Sequence, residues 1–104
     1  MSLRQRILDK IMEVIDQELG INIVDLGLIY AVDVKRKKKG EQQAFIKMTF
    51  TTPACPLIND IINEIKTKLD DEFKDIDIEI TVVFDPPWNP DKLSNRAKIQ
   101  LGMV

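Results

Sequence analysis

The sequence predicts an α+β domain of two layers, with elements in the order α-β-β-α-β-α and helices packed on a three-stranded mixed sheet. Three observations carry that prediction. Two apolar stretches recur at the spacing of a helix, three recur at the two-residue spacing of a strand, and a helix separates the second strand from the third. A strand, helix, strand unit of this kind is a crossover, which makes its two strands parallel. The chain has 104 residues, enough for one modest core without disulfides or metals and too few for two domains.

The elements follow in order. Leu3, Ile7, Ile11, Val14 and Ile15 lie at helical spacing, and Ser2 with Gln5 reads as a capping box at the start. Gly20 is the expected stop, followed by a tight "INIVDLG" connection. Leu28, Tyr30, Val32 and Val34 then alternate with Ile29, Ala31, Asp33 and Lys35, the pattern of a strand with one wet face. Ala44, Ile46, Met48 and Phe50 repeat it, and the polar "KRKKKGEQQ" between the two predicts an antiparallel hairpin. Its basic run, Lys35 to Lys39, sits at the hairpin tip, where solvated lysines discourage edge pairing. Beyond Pro56, the residues Leu57, Ile58, Ile61, Ile62, Ile65 and Leu69 trace one face of a helix. Ile76, Ile78, Ile80, Val82 and Phe84 form the third strand, and a proline-rich turn leads to a last helix from Ser94 to Leu101, stopped by Gly102.

Composition narrows the functional classes. A net charge of −2 leaves no electrostatic footprint for nucleic acid. No apolar run reaches the roughly 18 residues that a membrane span needs, and the N-terminal "MSLRQRILDK" has no signal-peptide core. A single cysteine forms no intrachain disulfide, so the expected setting is the cytoplasm, with neither nucleic acid nor membrane as partner.

That cysteine lies in "TTPACPL", Thr51 to Leu57. A lone cysteine ordinarily packs as a small hydrophobe. Here Pro56 fits the first position of a helix, which places Cys55 at the N-cap, where free backbone N–H groups and the helix dipole favour thiolate. Thr51 and Thr52 add hydroxyls just upstream. Nucleophilic catalysis of the cysteine–histidine type needs a base, and the chain contains no histidine; a dithiol cycle needs a second cysteine. Soft-metal ligation remains, although one thiolate cannot hold a cluster that ordinarily takes four.

Two further stretches stand out. "DQELGINIVDLGLIY" gathers Asp16, Glu18 and Asp25 around a turn, and "FDPPWNP" presents Asp85 and Trp88 beside three prolines. Periodicity leaves two readings of Trp88 open, folding back on the core or serving as a binding anchor.

Together, "DQELGINIVDLGLIY", "MTFTTPACPL" and "FDPPWNPDKLS" closely resemble the SufT and PaaD-like family of metal-sulfur cluster assembly proteins. The resemblance spans nearly the whole chain and implies one assembly-factor domain over residues 1–104. It is nearer the short SufT-like type, since the cysteine-rich C-terminal region of PaaD-type members is absent. It implies an accessory, non-catalytic role in assembling or delivering iron-sulfur clusters, with Cys55 as a transient thiolate ligand, aided by Glu18. Asp16, Glu18, Asp25, Thr51, Thr52, Asp85 and Trp88 are the implied binding surface. The implied cofactor is a transient iron-sulfur cluster or iron, none held stably, and the implied partners are scaffold or carrier proteins and client apoproteins, with a homodimer as one arrangement. The alternative is a metal-free adaptor for the same machinery. Gln17 stands where the family usually has proline.

Overall fold

A computed structural model of the chain describes residues 2–17, 19–36, 40–51 and 56–102. Helix α1, Leu3–Ile11, opens as the sequence predicts: the Ser2 Oγ accepts the Gln5 amide at 3.1 Å. The Gln5 side chain does not complete the box but donates to Asp9 one turn on, at 2.9 Å.

The helix then ends before the stop expected at Gly20. Val14 turns into the core, fully buried, and Ile15 is 40% exposed. Strand β1, Ile15–Asp16, pairs antiparallel with β2, Ile21–Asn22. The β-branched pair Val14–Ile15 favours extended backbone. The turn behind it is stabilised locally, because Asp16 Oδ1 accepts the Leu19 amide at 3.1 Å and the Asp16 carbonyl accepts the Gly20 amide at 2.8 Å. Gly20, at φ 67°, closes this small hairpin rather than a helix.

The main sheet runs β3, Ile29–Arg36, β4, Gln42–Met48, and β5, Ile76–Val82, in that spatial order. β3 and β4 are antiparallel, with Tyr30 skipped in the register between Ile29 and Ala31; β4 and β5 are parallel and in register from Gln42 opposite Ile76 to Met48 opposite Val82. Between them α2, Ile58–Glu72, crosses over. β5 ends at Val82, so Phe84 lies beyond the strand and is 40% exposed. After a single 3₁₀ turn at Pro90–Lys92, helix α3 covers Asn95–Gln100, capped by the Ser94 Oγ on the Ala97 amide at 3.1 Å. Gly102 follows at φ 74°.

The core lies between the helices and one face of the sheet. Ile7 and Ile11 from α1, Ile61, Ile65 and Leu69 from α2, and Val32, Ala44, Ile46, Met48 and Ile78 from the sheet are all buried. A buried aliphatic side chain of this size contributes about 1.5 to 3 kcal/mol. At the far end of the helices, Lys10 reaches Glu13 at 3.2 Å and Glu72 at 3.9 Å, while Lys68 reaches Glu13 at 3.5 Å. Among the described residues, no helix is long and apolar enough to cross a membrane.

Candidate functional site

The three stretches singled out in the sequence are joined by the fold. The hub is the turn after β2. Asn22 Oδ1 accepts the Asp25 amide at 2.9 Å, and Asn22 Nδ2 returns a bond to Asp25 Oδ2 at 2.8 Å. The Leu26 amide reaches the Asn22 carbonyl at 3.1 Å. Ile23 and Leu26 point inward and are fully buried, which fixes the turn to the core.

The third stretch lies against this turn. Trp88 Nε1 donates to the Leu26 carbonyl at 2.6 Å, and the half-buried ring packs on the core. Trp88 therefore folds back. The Ser94 amide donates to the Asp25 carbonyl at 2.8 Å, and Arg96 donates to Asp25 Oδ2 from Nε at 2.9 Å and from Nη2 at 2.6 Å. Gln100 Nε2 reaches the Gly20 carbonyl at 3.2 Å. Gly27, at φ 78°, runs so close to Lys92 that a Cβ there would strike the Lys92 backbone carbonyl. Tyr30 donates its hydroxyl to the Pro86 carbonyl at 2.7 Å, and Lys92 Nζ lies 4.8 Å from the Tyr30 ring centre.

These contacts set the electrostatics of Asp25. Burial pushes its carboxyl upward, but hydrogen bonds from Arg96 and Asn22 outweigh that and hold it below the ordinary value of 3.8. Its Oδ2 is already engaged by Asn22 and Arg96, so Asp25 holds the turn in place.

The second stretch meets the first at the start of α2. Ile15, Gln17, Leu57, Asp60, Ile61 and Glu64 line a cleft of about 150 Å³. Its walls are apolar, its polar groups are one amide and two carboxylates, and none of the six is basic, so it favours cations over anions. Asp16, half-buried, sits in the hairpin beside Gln17; Thr51, exposed, stands at the exit of β4; Asp85 is exposed ahead of a cis bond to Pro86. Cys55, Thr52 and Glu18 lie outside the described residues, as do Lys37 to Lys39. The N-cap of α2 is Leu57, not Cys55: the helix begins at Ile58, with no side-chain bond at its cap. One residue, Pro56, stands between Cys55 and that cap. Among the described residues, no group of three His, Cys, Asp or Glu side chains is placed to hold a metal ion.

Asp60 and Glu64 escaped the sequence reading because they occupy the ordinary polar face of an amphipathic helix. Arg96, Ser94 and Gln100 escaped it because their partners lie about seventy to eighty residues away, as with the 71-residue separation of Asp25 and Arg96.

The chain is similar to several known proteins along most of its length. The chain is 40% identical over 102 residues to the Fe-S protein maturation auxiliary factor YitW of Bacillus subtilis (strain 168), covering 98% of this chain and 96% of that one. It is 43% identical over 90 residues to the Fe-S protein maturation auxiliary factor SufT of Staphylococcus aureus (strain USA300), covering 86% and 98%. A crystal structure of a domain of unknown function from Bacillus anthracis superposes with a TM-score of 0.82 at 36% identity, over 97% of this chain and 92% of that one. The profile of the family described as "Iron-sulfur cluster assembly protein" matches residues 4–82, so the chain belongs to that family.

Proposed function

We propose that this protein is a cytoplasmic, non-catalytic accessory factor that delivers iron-sulfur clusters to client apoproteins, with Cys55 as a transient thiolate ligand to the cluster it carries. The observation that carries the reading is that Gln17 of the first stretch and Leu57, where the second stretch ends, line one cleft together with the carboxylates of Asp60 and Glu64. The maturation role named for the relatives supports it. A cluster normally takes four protein thiolates, whereas each chain supplies one and has no histidine. The remaining positions fall to carboxylates such as Glu18, to small thiols, to water or to a second chain, all more exchangeable than cysteine. Such a ligand set suits transfer rather than storage.

The second reading is a metal-free adaptor. It is favoured by exposed apolar side chains around the same turn: Ile15 and Leu19 at 40% and 41%, and Ile99 and Leu101 of the α3 region at 64% and 37%. Scaffold or carrier proteins and clients are the partners in both readings.

Anaerobic reconstitution with iron and sulfide, with and without glutathione, followed by sedimentation, separates the two. Delivery predicts a labile cluster that requires two chains or added thiol and vanishes in Cys55→Ser. A protein that never takes up iron, yet still activates a client, is the adaptor. Cys55→Ser is expected to leave the unfolding midpoint unchanged and abolish client activation; unchanged activation removes the thiolate from the proposal.

A further inference from the structure

Independently of the iron-sulfur reading, the two edges of the main sheet are built differently. The β3 edge is guarded. Arg4 Nε donates to the Val32 carbonyl at 3.2 Å, Tyr30 interrupts the register, and Lys35 and Arg36 close the strand, all of which discourage pairing with another chain. The β5 edge carries none of these devices. Its sequence, IDIEITV, has no proline, lysine or arginine, and its register is unbroken.

The backbone of β5 faces outward at alternate residues. The Val83 amide donates to the Met48 carbonyl at 2.8 Å, so Thr81 and Glu79 also turn their amides and carbonyls toward β4. Ile78, Ile80 and Val82 turn theirs away, and among the described residues nothing hydrogen-bonds to them there. The side chains alternate as well. Ile76, Ile80 and Val82 are half-buried on the helix side, while Asp77, Glu79 and Thr81 are exposed on the open face. At the Ile76 end, an open hollow of about 630 Å³ is lined, among the described residues, by three carboxylates, Glu41, Asp75 and Asp77, and one cation, Lys74.

We propose that the β5 edge is a strand-addition site for an extended segment of a partner protein in which lysine or arginine alternates with apolar residues. Such a segment completes the outward hydrogen bonds of Ile78, Ile80 and Val82. It covers the exposed remainder of Ile76, Ile80 and Val82 with its apolar side, and sets its cations along the open face, one beside Glu79 at the cross-strand spacing of about 5 Å. A second copy of this chain does not fit as well, because antiparallel β5 pairing brings one row of carboxylates against another.

The test is titration of the ¹⁵N-labelled protein with a short capped peptide alternating lysine and valine, read by amide hydrogen exchange. The amides of Ile78, Ile80 and Val82 are expected to gain protection, while those of Glu79 and Thr81 are protected from the outset. The same peptide N-methylated at alternate amides, and the parent peptide with the Glu79→Lys protein, are each expected to bind about tenfold more weakly. Equal binding by the N-methylated peptide, unchanged exchange at the three outward amides, or no binding near 1 mM peptide overturns the proposal; equal binding by the methylated peptide reduces the attraction to surface charge.

Discussion

Trp88 and Gly27 show how much the turn after β2 depends on single side chains. The Trp88 indole gives the Leu26 carbonyl a hydrogen bond of 2.6 Å in a half-buried setting. Trp88→Phe keeps an aromatic ring and removes the donor, so it is expected to lower stability by about 1 to 2 kcal/mol, read from urea melts followed by circular dichroism. A change below a few tenths of a kcal/mol would mean that water replaces the indole. Gly27 allows a sharper comparison, because Gly20 also has positive φ but has open space around it. Gly20→Ala is expected to lose about 1 to 2 kcal/mol, the strain of a left-handed backbone alone. Gly27→Ala adds a collision with the Lys92 backbone and is expected to lose clearly more. Equal losses would show that the third stretch can move away from the turn without consequence.

At the scale of elements, the contact of α3 with the β2 turn depends on pH. The Asp25 carboxyl is held below 3.8 by Arg96 and Asn22, and a depressed carboxylate stabilises the fold above its unfolded value. That contribution is complete at neutral pH and is lost as pH falls below about 3.8 toward the folded value. Because the Arg96 side chain is 66% exposed, Arg96→Ala is expected to lose only about 0.5 to 1 kcal/mol at pH 7 and progressively less as pH falls below about 3.8. A loss independent of pH would assign Arg96 a packing role. Glu13 follows the same direction: Lys10 foremost, and then Lys68, draw its carboxyl down where α1 meets α2.

The elements were legible to differing degrees for physical reasons. The three main strands and α2 announce themselves because one face of each is buried, and burial imposes a period on the sequence. Strands of two residues impose none, and Val14 and Ile15 continue the helical spacing of α1, so the β1–β2 hairpin was hidden. The proline rule placed Cys55 at a helix cap, whereas α2 starts two residues later than that rule allows and Leu57 is the cap. The sequence marks three stretches as candidates but not the contacts between the first and the third, such as Trp88 to Leu26, 62 residues apart.

Over the whole molecule, the acidic cleft and the unguarded sheet edge are separate surfaces with separate tests. Asp60 and Glu64 lie on the exposed side of α2 and line the cleft. Replacing both by lysine is expected to leave stability within about 0.5 kcal/mol and to lower client activation several-fold, measured in a coupled assay with an apoprotein client. Unchanged activation would move the working surface elsewhere.

The clasp of α3 on the acidic turn also bears on how the protein is made. Gln100 holds the Gly20 carbonyl across 80 residues of chain, and Ser94 and Arg96 hold Asp25 across about 70. On the ribosome, the acidic turn emerges about seventy to eighty residues ahead of its fastening. A nascent chain can form the β3–β4 hairpin and α2 while that turn is still unfastened, so the acidic surface reaches its final geometry only once residues 94–100 have left the exit tunnel.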